Sequence, residues 1–421
     1  MEAYVKRYWA AFLVALAVSI VISVFLTHTY DMSGWAEVCN NLLAGEGLYA
    51  VEGYYYTPVW GYFLSALLYL GALLGIAPTM TQQDLLISLE NGGSPFTSMM
   101  TDFQFALMLK MFMILTWVIN AYLIYCVAKE WTADRKKAYC ASGIWLICPL
   151  VIVIIARSAM FESLTVMLLL LSVILLWRGM YFGAGAMWAM ASLTKYFPCF
   201  LIFIFVALIL VRNRGHCKKA LVQIAEAAVG ALVMSLVIYW PQIMDGTVLN
   251  SLSFITSRAG ASWLGIYDVT YSVAVLIISV YVAYCYWRRG TPEIGSFFKA
   301  VLTTLLVVYF LPVGPEQYYI ILVPFMAIGA VLLDRRLGKV ALVAFTLMIV
   351  SPIITTWPSD LMIFLNAIGS IAVAPPMINT IIDNIFTAAG IMVLWLSLWY
   401  LYEDKLAERK AMKAARHSHE E

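Results

Sequence analysis

The stretch THTYDMSGWAEVCNNLLAGEGLYAVEGYYYTPVWGY (27–62) decides how the rest of the chain is read. It interrupts a mostly apolar sequence with an early acid, Asp31, and a short amphipathic segment. A turn flanked by Gly45 and Gly47 follows, then a tyrosine cluster ending at Pro58. In the amphipathic segment Trp35, Val38 or Cys39, and Leu42 share one face. That i, i+3/4, i+7 spacing suits a short helix lying on a membrane surface. Asp31 stands just before this segment and has two roles open to it. It is the N-cap of the helix, or, because Ser33 would cap it equally well, it is a carboxylate left for chemistry. Tyr54, Tyr55 and Tyr56 divide likewise between an interfacial aromatic belt and contact with a sugar or lipid.

Outward from this stretch the composition is that of an integral membrane protein. Of 421 residues, 63% are hydrophobic and 12% charged, with a mean hydropathy of +0.88. A soluble domain is nearer half apolar and a quarter charged. Apolar runs fall at 8–27, 58–76, 103–128, 138–156, 163–178, 181–197, 198–212, 219–240, 268–287, 297–313, 318–333, 338–356 and 383–402. They are continuous rather than alternating, so they predict helices and not barrel strands. The expected fold class is an all-α polytopic membrane protein. Residues 1–402 read as one transmembrane domain, with 28–102 as its first outer loop, and 403–421 as a charged cytoplasmic tail. The first run has a basic flank, Lys6 and Arg7, and no small-residue cleavage pattern before Asp31, so it reads as a retained helix. The seven cysteines are scattered without CxxC or CxxH spacing, which supports neither a zinc site nor a disulfide framework.

Charge settles the expected topology. If all thirteen runs cross and the N-terminus is cytoplasmic, the basic loops after the second run fall outside. If 58–76 instead lies in the outer leaflet without a net crossing, all but four of the 26 Lys and Arg are inside. The positive-inside rule prefers this arrangement. It gives about twelve transmembrane helices plus one juxtamembrane helix. The four outer cations are Lys110, Arg157, Lys195 and Arg258. Ionisable groups near membrane depth are costly and tend to mark function. Acids on the same side include Asp31, Glu37, Glu46, Glu52, Glu162, Asp268 and Glu316. Acids with a few cations beside apolar surface suit an anionic lipid head group. Lys110 opens a helix and reads as a snorkelling anchor. The insertion 77–102 has no clear reading.

Four segments carry a resemblance. An acid just after the first span is followed by LLAGEGLYA (42–50) and YYYTPVWGYFL (54–64). RSAMFESLTVMLLLLS (157–172), ASLTKYFPCFLI (191–202) and GPEQYYIILVPF (314–325) come later, in that order. Together they resemble the GT-C superfamily of polyprenyl-phosphate-sugar-dependent glycosyltransferases. The likeness is strongest to the branch holding the bacterial polyprenyl-phosphomannose-dependent mannosyltransferases and the GPI mannosyltransferase I catalytic subunit. The resemblance implies a polyprenyl-phosphate-linked sugar donor, with mannose favoured over glucose, galactose or a pentose. It implies a glycolipid or glycan acceptor and an extracytoplasmic site. That site faces out of the cell membrane in a prokaryote or into the endoplasmic reticulum in a eukaryote. Where the eukaryotic GPI enzyme has Asp-x-Asp, this chain has Thr29-Tyr30-Asp31, with one carboxylate. A divalent metal therefore lacks a two-carboxylate motif here, and no cofactor is assigned. Nucleic acid is not expected as a partner.

Transfer from such a donor displaces phosphate from the anomeric carbon. Phosphate leaves well, so no general acid is essential. What is needed is a base for the acceptor hydroxyl and cations for the leaving phosphate. Asp31 is the candidate base for an inverting displacement. Lys195 and Arg157, then Arg258, are candidates for binding the donor phosphate. Glu162, Tyr56, Glu316, Gln317 and Tyr318 are candidates for the sugar or acceptor pocket. Each has a plainer alternative: Arg157 and Glu162 as a structural ion pair, Lys195 as a snorkelling chain, Arg258 as a solvated loop cation. His28 reads as a polar rim residue, and a histidine metal site is not expected. A transporter or flippase for a lipid-linked or anionic substrate is the alternative function. It would favour inverted repeats and broken helices with polar groups at the midplane, and neither is legible in the sequence.

Overall fold

The computed structural model describes residues 2–49, 54, 56–85, 96–249, 251, 268–310, 316–361 and 385–403. Each of the thirteen apolar runs carries helix. In chain order these are α1 (Glu2–Phe25), α2 (Thr29–Leu43), α3 (Pro58–Leu73), α4 (Phe103–Thr132), α5 (Arg135–Ile147), α6 (Pro149–Ser158), α7 (Glu162–Trp177) and α8 (Tyr181–Thr194). They continue with α9 (Ile202–Arg212), α10 (Cys217–Asp245), α11 (Asp268–Arg289), α12 (Ile294–Phe310), α13 (Leu322–Leu332), α14 (Arg336–Leu361) and α15 (Ile385–Glu403). Short 3-10 turns, Phe197–Leu201 and Glu316–Ile321, lead into α9 and α13.

Among the described residues four helices are long and apolar enough to cross a membrane alone: Tyr4–Phe25, Phe103–Thr132, Cys217–Asp245 and Ile385–Glu403. The protein is therefore membrane-embedded. The run 138–156 is one segment in sequence but two helices in space, α5 and α6, bent by 48°. The cause is local. Pro149 has no N–H and disfavours helical backbone at the residue before it, and Cys148 accordingly sits extended at ψ 116.

Among the described residues the fold departs from all-α at one place. Between α3 and α4, β1 (Met80–Leu85) and β2 (Phe96–Thr101) pair antiparallel, with Met80 opposite Thr101 and Leu85 opposite Phe96. The hairpin packs on α2, and Asn40 donates from Nδ2 to the Pro78 carbonyl at 2.8 Å. Asp102 then caps α4, accepting from the Gln104 and Phe105 amides.

Two contacts fix the direction of the chain. Lys110 in α4 donates to the carbonyls of Ser23 and Leu26 at 3.0 and 2.7 Å and to Thr27 Oγ1 at 2.5 Å. Trp117 of the same helix stacks on Phe12 of α1. The two helices are antiparallel, so residues 28–102 leave and return to the same end of the bundle. Lys110 is not a snorkelling anchor: it is 1% exposed and closes the C-terminal carbonyls of α1. Elsewhere, α8 and α10 pack backbone to backbone. A Cβ on Gly185 would collide with the Ala227 carbonyl, and one on Gly230 with the Phe182 carbonyl.

A candidate active site at one end of the bundle

The chain leaves α1 at Phe25 and enters α2 at Thr29. The helix thus starts two residues before Asp31, and neither Asp31 nor Ser33 is its N-cap. His28 holds that position, with no side-chain cap bond. Asp31 lies in the first turn, where exposed amides favour a carboxylate. His28 is anchored on both sides: its amide donates to the Arg157 carbonyl at 3.2 Å, and its carbonyl accepts from the Met32 amide at 3.2 Å. Its ring Nδ1 lies 2.7 Å from Asp31 Oδ2. Both side chains stay in contact with solvent, at 29% and 16% exposure.

The Arg157 carbonyl brings in the second segment. α6 stops at Ser158, and Ala159 turns with a left-handed φ of 48°. Three residues later Glu162 opens α7, its carboxylate fully buried at another helix N-terminus. The third segment ends α8, where Lys195 is extended at φ −143°. Lys195 Nζ lies 3.1 Å from Glu162 Oε1. Three rings enclose the same ammonium, with centroids at 4.4 Å (Tyr318), 4.7 Å (Phe161) and 4.9 Å (Tyr56). A buried ammonium needs a counter-charge, and ring faces add to it. One cation therefore gathers four separated parts of the chain: the tyrosine cluster, the α6–α7 turn, the end of α8 and the turn before α13.

An aromatic floor supports the cluster. Phe161 stacks on Trp60 at 4.9 Å and meets Tyr56 edge-on at 4.9 Å, and Trp35 of α2 packs on both Trp60 and Phe161. Asp31 lies within electrostatic reach of Tyr56 and Glu162. Burial pushes the Tyr56 hydroxyl up to about 12, so it remains a donor at neutral pH. Tyr54 serves neither a belt nor a ligand. Buried, it donates to the Thr57 carbonyl at 2.9 Å and accepts from the Gly61 amide at 2.7 Å, locking the entry to α3.

Of the residues singled out from sequence, Asp31, Tyr56, Glu162, Lys195 and Tyr318 converge here. Arg157 joins through its backbone, with its side chain also buried. Gln317 is half-buried beside Tyr318. Glu316 opens the same turn, its side chain outside the described atoms, and Arg258 lies outside the described residues. The alternative of an Arg157–Glu162 ion pair is not what forms at Glu162: that carboxylate goes to Lys195. Two participants were missed. Phe161 was not singled out from the sequence, and only its place directly before Glu162 marks it. His28 passed for a rim residue, although its i, i+3 spacing to Asp31 puts both on one helical turn.

Among the described residues no three His, Cys, Asp or Glu side chains gather as metal ligands. A groove of about 430 Å³ along α1 and α6, lined by residues such as Val14, Val18, Ile147 and Ile152, lies apart from the cluster. It has no group to act on a sugar or phosphate. No protein-family model matches the chain, and neither does a curated protein or a solved structure.

Proposed function

We propose that this chain is a GT-C-type membrane glycosyltransferase. It moves a sugar, with mannose the first candidate, from a polyprenyl-phosphate donor to a glycolipid or glycan acceptor. The observation that supports this most is the convergence just described: a partly exposed carboxylate, Asp31, beside one buried cation, Lys195, enclosed by four segments. Asp31 takes the proton of the acceptor hydroxyl. The oxygen so freed attacks the anomeric carbon, and the bond to the donor phosphate breaks with its electron pair going to phosphate. Displacement in line inverts the anomeric centre. Lys195, Arg157 and Arg258 are the cations for the leaving phosphate, which would compete with Glu162 for the Lys195 ammonium. Tyr56, Tyr318, Gln317, Glu162 and Glu316 line the sugar or acceptor pocket.

The topology in this proposal is twelve crossings with the site on the extracytoplasmic side. The return of residues 28–102 to one end supports α3 as a juxtamembrane helix.

The break at Cys148 favours the second reading, a transporter, because broken helices often line transport sites. Transfer of labelled sugar in membranes separates the two. Transfer from polyprenyl-phosphate-mannose but not from GDP-mannose, lost in Asp31→Asn, supports the enzyme. Use of GDP-mannose would put the site on the cytoplasmic side. No transfer from a panel of lipid-linked sugars, together with movement of one of them across the bilayer, would establish the transporter.

A further inference from the structure

We infer that His28 is a positioning residue that holds the Asp31 carboxylate through its Nδ1–H, an inference resting on Asp31 as the base. The pair is built, not incidental. The His28 backbone is fixed by the Arg157 carbonyl on one side and by the first turn of α2 on the other. Its ring therefore has a set origin, and Nδ1 reaches Asp31 Oδ2 at 2.7 Å. α2 itself is held down by Met32, Trp35, Ala36 and Cys39, all buried. The carboxylate can thus rotate only about its own bonds, and the imidazole stops that rotation.

The proton count fits a neutral ring. With Nδ1 protonated, the imidazole donates to Oδ2 and leaves Oδ1 to accept the proton of the acceptor hydroxyl. After that transfer Oδ2 is the carbonyl oxygen of an acid and still accepts from Nδ1–H, so the same bond serves before and after the step. His28 gains and loses no proton. A base held in one orientation loses less of its rate to misalignment, and a displacement of about 1 Å can cost about a hundredfold.

Three variants test the inference in membranes, with polyprenyl-phosphate-mannose as donor. His28→Ala should lower kcat by about tenfold to a hundredfold with the donor KM unchanged. His28→Asn should restore most of it, because its amide N–H lies near the place of Nδ1–H. His28→Gln should not, because its amide lies one carbon further out. Wild-type kcat in His28→Ala, or equal rescue by Gln and Asn, would overturn the inference. Asp31→Asn run alongside keeps the two proposals apart. If it is dead while His28→Ala is normal, only the role of His28 falls. If it is fully active, Asp31 is not the base. A readout independent of activity is NMR of the full chain with ¹⁵N-labelled histidine, of which there are four. A low-field Nδ1-bound proton that moves upfield in Asp31→Asn, where the acceptor has lost its charge, supports the pair, and its absence from the wild type would overturn it.

Discussion

Lys195 Nζ lies 3.1 Å from Glu162 Oε1 with both side chains buried, tying the end of α8 to the start of α7. Removing one member of such a pair strands the other without compensation, at a cost of about 3–5 kcal/mol. Removing both leaves polar or apolar side chains of similar size and costs much less. Glu162→Gln and Lys195→Met should each lower the unfolding temperature in detergent, and the double variant should recover most of the loss. Additive losses would mean that the two do not interact. The double variant should still lack transfer, because one of the three cations proposed for the phosphate is gone. Transfer by a stable double variant would remove Lys195 from the chemistry.

The aromatic enclosure of Lys195 makes a finer distinction. Tyr318 is the nearest ring, at 4.4 Å. Tyr318→Phe keeps the face and should keep stability near wild type. Tyr318→Leu removes it and should cost about 0.5–2 kcal/mol of cation–π stabilisation. If the hydroxyl also touches the sugar, Tyr318→Phe raises the donor KM while leaving the unfolding temperature alone. Equal unfolding temperatures for Phe and Leu would show that the ring face contributes nothing.

Asp31→Asn carries the proposed chemistry. The amide keeps the shape and its Oδ1 can still accept from His28 Nδ1–H, but it takes no proton at neutral pH. Loss of a positioned base costs about 10²–10⁴ in rate. Transfer should fall by that factor while yield and unfolding temperature stay near wild type. An unchanged rate would remove Asp31 as base.

Much of this was legible in the sequence, for reasons that also mark where it stopped. Apolar runs locate helices because a bilayer demands continuous burial of the backbone, and all thirteen runs carry them. The break at Cys148 was written in Pro149 but lost inside a run long enough to span. The hairpin at 80–101 was illegible, since its strands have no alternating apolar face and gain their place by packing on α2. At the site, residue types identified Asp31, Glu162 and Lys195, but pairing is a property of three dimensions. Arg157 and Glu162 are near in sequence, whereas Lys195 reaches Glu162 only because α7 and α8 form a tight hairpin. Lys110 misled for a related reason. A lysine near a helix start usually reaches for water, and here the orphan carbonyls of α1 lie closer.

Those carbonyls give the last prediction. Lys110 closes Ser23, Leu26 and Thr27 at the point where the chain turns towards His28 and Asp31. Lys110→Met fills the space but leaves two buried carbonyls without their donor, each costing about 1–3 kcal/mol. The end of α1 should fray, and the loss should reach Asp31 through Thr27 and His28. We expect a lower unfolding temperature together with a reduced kcat, although Lys110 touches neither Asp31 nor Glu162 in any described contact. Hydrogen exchange checks the route: amides at the end of α1 and in the first turn of α2 should lose protection, and those of α7 and α8 should keep it. Uniform loss across all four helices would mean that Lys110 supports the bundle as a whole and not the loop that carries Asp31.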